Sequence, residues 1–308
     1  MTEAPQPPPA PQSDLTTRFA MGVAMIAVAC LFTWFGGWPF RLLVAIAAAI
    51  MMIEWAQMHQ VDRNWSWAGA VLIAVLLLGG IEYYYPNSLP DLESDDLLWI
   101  ATEDAYPALW AFAIIAGAGL LIAAAARRPV LGWGLVYIGI PCFALLVVSW
   151  ASEVAVGLVF WVLIVTWATD IFAYFAGRGI GGPKLAPRIS PNKTWAGLIG
   201  GMAGAALFGW LTARYFGLDT PFPWAGAAMG LIAQLGDLYE SWEKRRAGVK
   251  DSGALLPGHG GVLDRLDGLL AVSVATMIVL LSGLWSPPVP IEVPDTATVM
   301  LMPPGSAG

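Results

Sequence analysis

The segment Ser241–Asp267 reads S-W-E-K-R-R-A-G-V-K-D-S-G-A-L-L-P-G-H-G-G-V-L-D-R-L-D and sets carboxylates, lysines and arginines around a glycine-rich turn. Carboxylates at helical spacing can hold a divalent cation, and ammonium or guanidinium groups can neutralise phosphate oxygens. On a helix, Asp237 and Ser241 share one face with Glu240 at its edge, and Lys244 and Arg245 follow within a turn. Asp264 and Asp267 share a face of the next helix, while Arg265 points elsewhere. Two helices joined by one loop bring Asp237 and Asp264 to the same end, where both can reach one cation. Mg²⁺ takes one or two protein carboxylates and leaves its other positions to water and substrate phosphates, so the pair suits a metal-bound triphosphate. Gly260 and Gly261 stand just before the second helix, where free N–H groups and the positive dipole end could meet a phosphate. Lys250 and Asp251 flank that turn, and His259 within it is as compatible with a structural hydrogen bond as with a substrate contact.

A second group lies upstream. Asp170 sits within an apolar run, so it must face protein or water rather than lipid. The run leads into G-I-G-G-P-K-L-A-P-R-I-S-P-N-K-T-W, whose glycines and bases can present N–H groups and positive charge to an anion. A loop that only orients the flanking helices by its charge would explain the bases. It would not explain Ser190, Asn192, Lys193 and Thr194 at the mouth of the next apolar run.

The elements that must position these groups are membrane helices. Of 308 residues 58% are hydrophobic and 12% charged, too little polar surface for an ordinary soluble domain. Apolar runs long enough for a hydrocarbon core of ~30 Å recur at 19–38, 40–58, 66–85, 106–126, 130–150, 154–177, 195–217, 222–242 and 262–285. The expected fold is therefore an all-α, polytopic integral membrane protein of about nine transmembrane helices. Eleven of the fifteen Lys and Arg residues fall in alternate loops: Arg63; Arg127 and Arg128; Arg178, Lys184, Arg188 and Lys193; Lys244, Arg245, Arg246 and Lys250. That alternation makes the N-terminus and the even-numbered loops cytoplasmic and puts the acidic Asp91–Asp104 loop outside. The active site then lies at the cytoplasmic ends of the C-terminal helices.

The net charge of −7 comes largely from that acidic loop, and no continuous basic face exists for a nucleic-acid partner. Cys30 and Cys142 sit in separate apolar runs and read as small buried hydrophobes, without a disulfide. The division expected is a disordered Pro-rich cytoplasmic tail (1–18), N-terminal scaffold helices (19–150), a catalytic membrane domain (151–286) and a disordered outer tail (287–308). Spans one to five hold few ionisable groups. Glu54 is the exception, expected to partner Arg41 or sit at the interface, and His59 reads as interfacial.

The Ser241–Asp267 segment resembles the C-terminal pattern of the phosphatidate cytidylyltransferases, S-x-(apolar)-K-R-x4-K-D-x-(small)-x2-(apolar)-P-x-H-G-G-(apolar)-x-D-R-(apolar)-D, at every fixed position. The runs W-A-T-D-I-F-A-Y-F-A-G-R around Asp170 and I-S-P-N-K-T-W-A-G around Lys193 extend the likeness over roughly 155–275. Glu243 departs from it, where the pattern has an apolar residue, and the change is expected to alter helix–lipid contact. Ala196 departs too, where many relatives carry Glu or Gln.

The resemblance implies that CTP and phosphatidate, presented among the membrane lipids, give CDP-diacylglycerol and pyrophosphate in phospholipid biosynthesis. It also implies Mg²⁺, a homodimer, and the plasma (inner) membrane of a bacterium. Asp237, Asp264 and Asp267 are the implied metal ligands, any second cation lying near Asp267, and Lys250 joins them as a catalytic group. Asp170, Ser190, Asn192, Lys193, Thr194, Ser241, Lys244, Arg245, Asp251, His259, Gly260, Gly261 and Arg265 are the implied substrate contacts. An intramembrane aspartyl protease would also pair Asp170 with Asp237, but Gln234 stands where such a protease needs glycine. A cation-coupled transporter could use the same aspartates, yet no repeat relates the two halves. A CDP-alcohol phosphotransferase would need Arg where Val272 stands. A related cytidylyltransferase acting on another lipid phosphate is the nearest alternative.

Overall fold

The computed structural model describes residues 15–87, 105–150, 154–253 and 260–282. Among these, nine helices and one small sheet follow in order: α1 (Leu15–Phe35), α2 (Gly37–Met58), α3 (Arg63–Asn87), α4 (Ala105–Ala126), α5 (Pro129–Val148), α6 (Ala155–Gly179), β1 (Lys184–Ala186), β2 (Ser190–Thr194), α7 (Trp195–Phe216), α8 (Phe222–Arg246) and α9 (Leu263–Leu281). Helix formation in so apolar a chain follows from the need to close every backbone hydrogen bond internally. Six of the helices, α2 to α7, are long and apolar enough to cross a membrane. The apolar part of α1 is shorter, Ala20–Phe35. Helices α8 and α9 fall outside that set because they carry the charges singled out above: Asp237, Glu240 and Glu243–Arg246 on one, Asp264, Arg265 and Asp267 on the other.

Two details differ from the expectation. The first helix starts at Leu15, so Leu15–Arg18, placed in the tail by the sequence reading, are helical. The loop between α6 and α7 is not irregular throughout: β1 and β2 pair antiparallel, Lys184 opposite Thr194 and Ala186 opposite Ser190, with an irregularity between the two pairs. The fold is mostly helical with that one ribbon. The acidic 91–104 loop, most of both tails and His259 lie outside the described residues.

Helix α5 is the buried centre of the N-terminal half, packed against α2, α3 and α4 and, from the other half, α9. Helices α6 and α7 pack closely along their length, because small residues let the two backbones approach. A Cβ on Gly201 would stand 2.9 Å from the Thr169 carbonyl oxygen, and one on Gly204 2.5 Å from the Phe172 ring. The same device joins α8 to α9: a Cβ on Gly236 would meet the Asp267 carbonyl oxygen at 2.8 Å.

The base-rich turns gather at one end of the bundle, as alternate crossings require. Arg128, after α4, donates to the Gln60 carbonyl after α2 at 2.7 Å. Arg245, at the end of α8, donates to the Ile189 carbonyl of the ribbon turn at 3.3 Å. His59 Nε2 lies 3.7 Å from Glu243 of α8. His59 therefore has a protein partner rather than a purely interfacial place, and its Nδ1 is 2.9 Å from the Trp55 carbonyl oxygen. Glu243 is buried, 3% exposed, and takes bonds from Tyr239 (3.2 Å) and Arg246 (3.1 Å), so its departure from the motif bears on packing between helices and not on lipid contact. Arg41 pairs with Glu82 at 2.5 Å and not with Glu54.

The close α6–α7 contact gives a stability test. Gly201→Val must push a side chain onto backbone that cannot move aside, and should cost about 1–3 kcal/mol. The melting temperature of the detergent-solubilised protein should fall accordingly. Gly79→Ala, where an added Cβ meets nothing within 4 Å, should leave it essentially unchanged.

Candidate active site

Helix α8 runs one turn past the expected span end, to Arg246, and so carries Asp237, Glu240, Ser241 and Lys244 as a continuous row. At its apolar end of that row, Lys193 from β2 reaches across: its Nζ lies 2.7 Å from Asp237 Oδ2 and donates to Gln234 Oε1 at 2.9 Å. Ser241 donates to the other oxygen of Asp237 at 3.3 Å. Thus Ser241 and Asp237 meet on one face, as their four-residue spacing leads one to expect, and Lys193 joins them from the ribbon, a contact that no spacing records. Gln234, 4% exposed, is the addition; it fixes the Lys193 ammonium one turn before Asp237.

One turn further along, Lys244 bridges two carboxylates. It pairs with Glu240 of its own helix and lies 2.8 Å from Asp264 Oδ1 of α9. Glu240 is fully buried, and Lys244 is the cation that meets it. The sequence reading placed Glu240 only at the edge of the face. Asp264 also accepts the Ser252 N–H at both oxygens, 3.0 and 3.1 Å, and the Gly261 N–H at 2.8 Å, so its acceptor sites are filled.

Asp267, one turn along α9, accepts the Gly268 N–H at 2.7 Å and has Asp237, Glu240 and Asp170 as electrostatic neighbours. Asp170 of α6 lies within electrostatic range of Asp237, Lys193 and Arg265. The structure therefore brings Asp170, Lys193, Asp237, Ser241, Lys244, Asp264, Arg265 and Asp267 to one locus from α6, β2, α8 and α9.

Other candidates serve the frame around it. Thr194 caps α7, its hydroxyl accepting the Gly197 N–H at 3.0 Å. Ser190 and Asn192 lie along β2, Asn192 exposed. Arg245 donates to Val249 and Ile189 carbonyls, holding the end of α8 to the ribbon. Lys250 and Asp251 are exposed at the rim. Gly260 has φ +80°, and a Cβ there would stand 2.6 Å from Asp264 Oδ2, so both backbone conformation and space require glycine.

The start of α9 is not open to a phosphate as expected. The Gly261 N–H is taken by Asp264, and the Val262 and Leu263 N–H groups each donate at 2.9 Å to Glu54 of α2. Sequence reasoning missed this role of Glu54, whose partners are more than two hundred residues away. Its one signal was a carboxylate in an apolar run whose other charged residue, Arg41, stands at the opposite end.

Among the described residues no three His, Cys, Asp or Glu side chains form a ready-made metal cluster. The donor chemistry still fits a hard cation that needs only one or two carboxylates from protein. At the two aspartates best placed for it, the positive charge present is an ammonium: Lys193 at Asp237 and Lys244 at Asp264. The locus is thus a set of carboxyl groups and ammonium groups paired with one another across β2, α8 and α9.

Comparison with known proteins agrees with that chemistry. Residues 16–282 match the family model described as "Cytidylyltransferase family". The phosphatidate cytidylyltransferase of Brucella abortus (strain 2308) is 35% identical over 288 residues, which cover 90% of this chain and 96% of the relative. The enzyme of that name from Pseudomonas aeruginosa is 39% identical over 162 residues, 51% of this chain and 59% of its own length. That from Haemophilus influenzae is 46% identical over 121 residues, covering 37% and 42% respectively. A family match over nearly the whole chain, together with the carboxylate and lysine cluster that the matched segment builds, places this protein in the cytidylyltransferase family.

Proposed function

We propose that this protein transfers the cytidylyl group of CTP to phosphatidate, giving CDP-diacylglycerol and pyrophosphate. What supports the reading is the match to the Brucella relatives, 35% identical over 90% of this chain and 96% of theirs, beside the lysine–carboxylate pairs at Asp237 and Asp264. In the reaction a phosphate oxygen of phosphatidate attacks the α-phosphorus of CTP. The new P–O bond forms as the bond from that phosphorus to the β-phosphate oxygen breaks and pyrophosphate leaves. The attacking phosphate is already anionic near neutral pH, so no general base is required. The protein must align two polyanions and offset their repulsion.

The residues divide this work. Lys193, held by Gln234 and Asp237, and Lys244, held by Glu240 and Asp264, are cations parked on carboxylates until phosphate arrives. Lys250 and Arg245 at the rim add positive charge on the entry side. Mg²⁺, held by Asp237 and Asp264 with any second ion near Asp267, would supply further charge neutralisation on the phosphates. Lys244, which now donates to Asp264 Oδ1, is the ammonium that would be free to meet a phosphate if Asp264 held the ion.

The same proposal includes nine spans in the plasma membrane of a bacterium, with the base-rich turns and the active site cytoplasmic. Helices α8 and α9 then cross as partners of α5 and α6, their charges shielded within the bundle. It also includes a homodimer formed through the N-terminal helices.

Purified protein incubated with CTP, Mg²⁺ and a panel of lipid phosphates should release pyrophosphate with phosphatidate, and a clear preference for another lipid phosphate would replace the substrate assignment. Asp237→Asn and Asp264→Asn should each abolish turnover while the protein still inserts and purifies; near-normal turnover at ordinary Mg²⁺ would remove the metal role. Lys193→Ala and Lys250→Ala should lower kcat/KM by the equivalent of about 1.5–3 kcal/mol, the strength of a charge-assisted hydrogen bond. For topology, single cysteines near Gly182 and Ala247 should resist an impermeant thiol reagent in intact cells while one near Glu93 reacts, Cys30 and Cys142 having been replaced. Labelling at Gly182 from outside would invert the arrangement.

A further inference from the structure

Helix α9 has Val262 at its N-cap, a residue whose side chain makes no capping hydrogen bond. Its first N–H groups would be unpaired in an apolar surrounding, which is costly. Glu54, 3% exposed, meets them from α2: Oε1 accepts the Val262 N–H and Oε2 the Leu263 N–H, both at 2.9 Å. A carboxylate at this end also interacts favourably with the helix dipole. The space for it is cut on both sides by glycines. A Cβ on Gly253 would stand 2.7 Å from Oε1, and one on Gly261 would stand 2.7 Å from Oε2 and 2.2 Å from the Ser252 hydroxyl.

The fork grips the stretch that carries the site. Val262 and Leu263 lie between Gly261, whose N–H goes to Asp264, and Asp264 itself; Asp267 follows one turn later. Fixing two successive N–H groups with two oxygens of one carboxylate fixes the rotation of α9's first turn about its axis. That rotation decides whether Asp264 meets Lys244 and whether Asp267 faces Asp237.

We propose that Glu54 is a positioning residue of the transfer reaction: without touching substrate, its carboxylate holds the first turn of α9 in the rotation that aligns Asp264 and Asp267 with α8. The inference rests on the cytidylyl-transfer reading above.

The test uses the full-length protein in detergent, comparing wild type, Glu54→Gln and Glu54→Asp by melting, amide hydrogen exchange over 260–264, and kcat and KM for CTP and phosphatidate. In Glu54→Gln one oxygen becomes an NH₂ that confronts an N–H donor. Its kcat should fall about tenfold or more while both KM values stay within about threefold. Exchange at Val262 and Leu263 should rise about tenfold with the melting temperature nearly unchanged. Glu54→Asp keeps the charge but falls short of a two-point grip, and should recover part of the kcat. If Glu54→Gln does not fold, Glu54→Asp decides: normal melting with reduced kcat supports the role, and wild-type kcat or failure to fold overturns it. A raised KM for CTP with unchanged kcat would make Glu54 a ligand contact instead, and unaltered exchange would remove the grip. Should wild type itself lack CTP-dependent turnover, the transfer reading fails, and the positioning role fails with it, whereas the exchange arm still reports whether Glu54 holds the helix start.

Discussion

A carboxyl group buried among apolar helices is tolerated only when a cation or hydrogen-bonding groups meet it. Glu240, with no exposed surface, makes this constraint absolute, and Lys244 answers it. Because Lys244 also reaches Asp264 of the next helix, one ammonium both meets the buried Glu240 and joins α8 to α9. Lys193 does the same between the ribbon and Asp237. The pairs that join these elements are thus the same groups that the proposed reaction assigns to the triphosphate.

The backbone frame makes those short pairs possible. Helices α8 and α9 approach closely at Gly236, where no side chain keeps the Asp267 backbone away. Thr194 closes β2 into the N-terminus of α7, so Lys193, the residue before it, projects from a fixed point rather than a free loop. Arg245 ties the ribbon turn back to the end of α8. Each contact shortens the range of motion of a charged side chain, and preorganised charge is what a reaction between two polyanions needs.

The N-terminal helices are more than a scaffold in this arrangement. Helix α2 touches both charge-bearing helices, α9 through Glu54 and α8 through His59 and Glu243. Helix α5 packs between α2 and α9, and its Trp133 donates to Tyr239 of α8 at 2.6 Å. The two halves, so different in charge content along the sequence, share one polar junction at the end of the bundle where the base-rich turns collect.

The sequence by itself determined the membrane character, because long apolar runs leave the backbone no other way to satisfy its hydrogen bonds. It also determined the charged locus: the four-residue step from Asp237 to Ser241 and the three-residue step from Asp264 to Asp267 are properties of one helix each, and helical periodicity fixes which side chains share a face. The alternation of Lys and Arg along the chain likewise anticipated that Gln60, Arg128, Ile189 and Arg245 would lie at one end. The tertiary structure alone decided which groups answer one another across helices. That Glu54 caps α9, that Gln234 orients Lys193, that Glu240 is buried beneath Lys244 and that Glu243 faces protein rather than lipid depend on how helices rotate and pack. Those rotations are set by contacts between residues far apart in the chain, such as Glu54 with Leu263, and no local spacing records them.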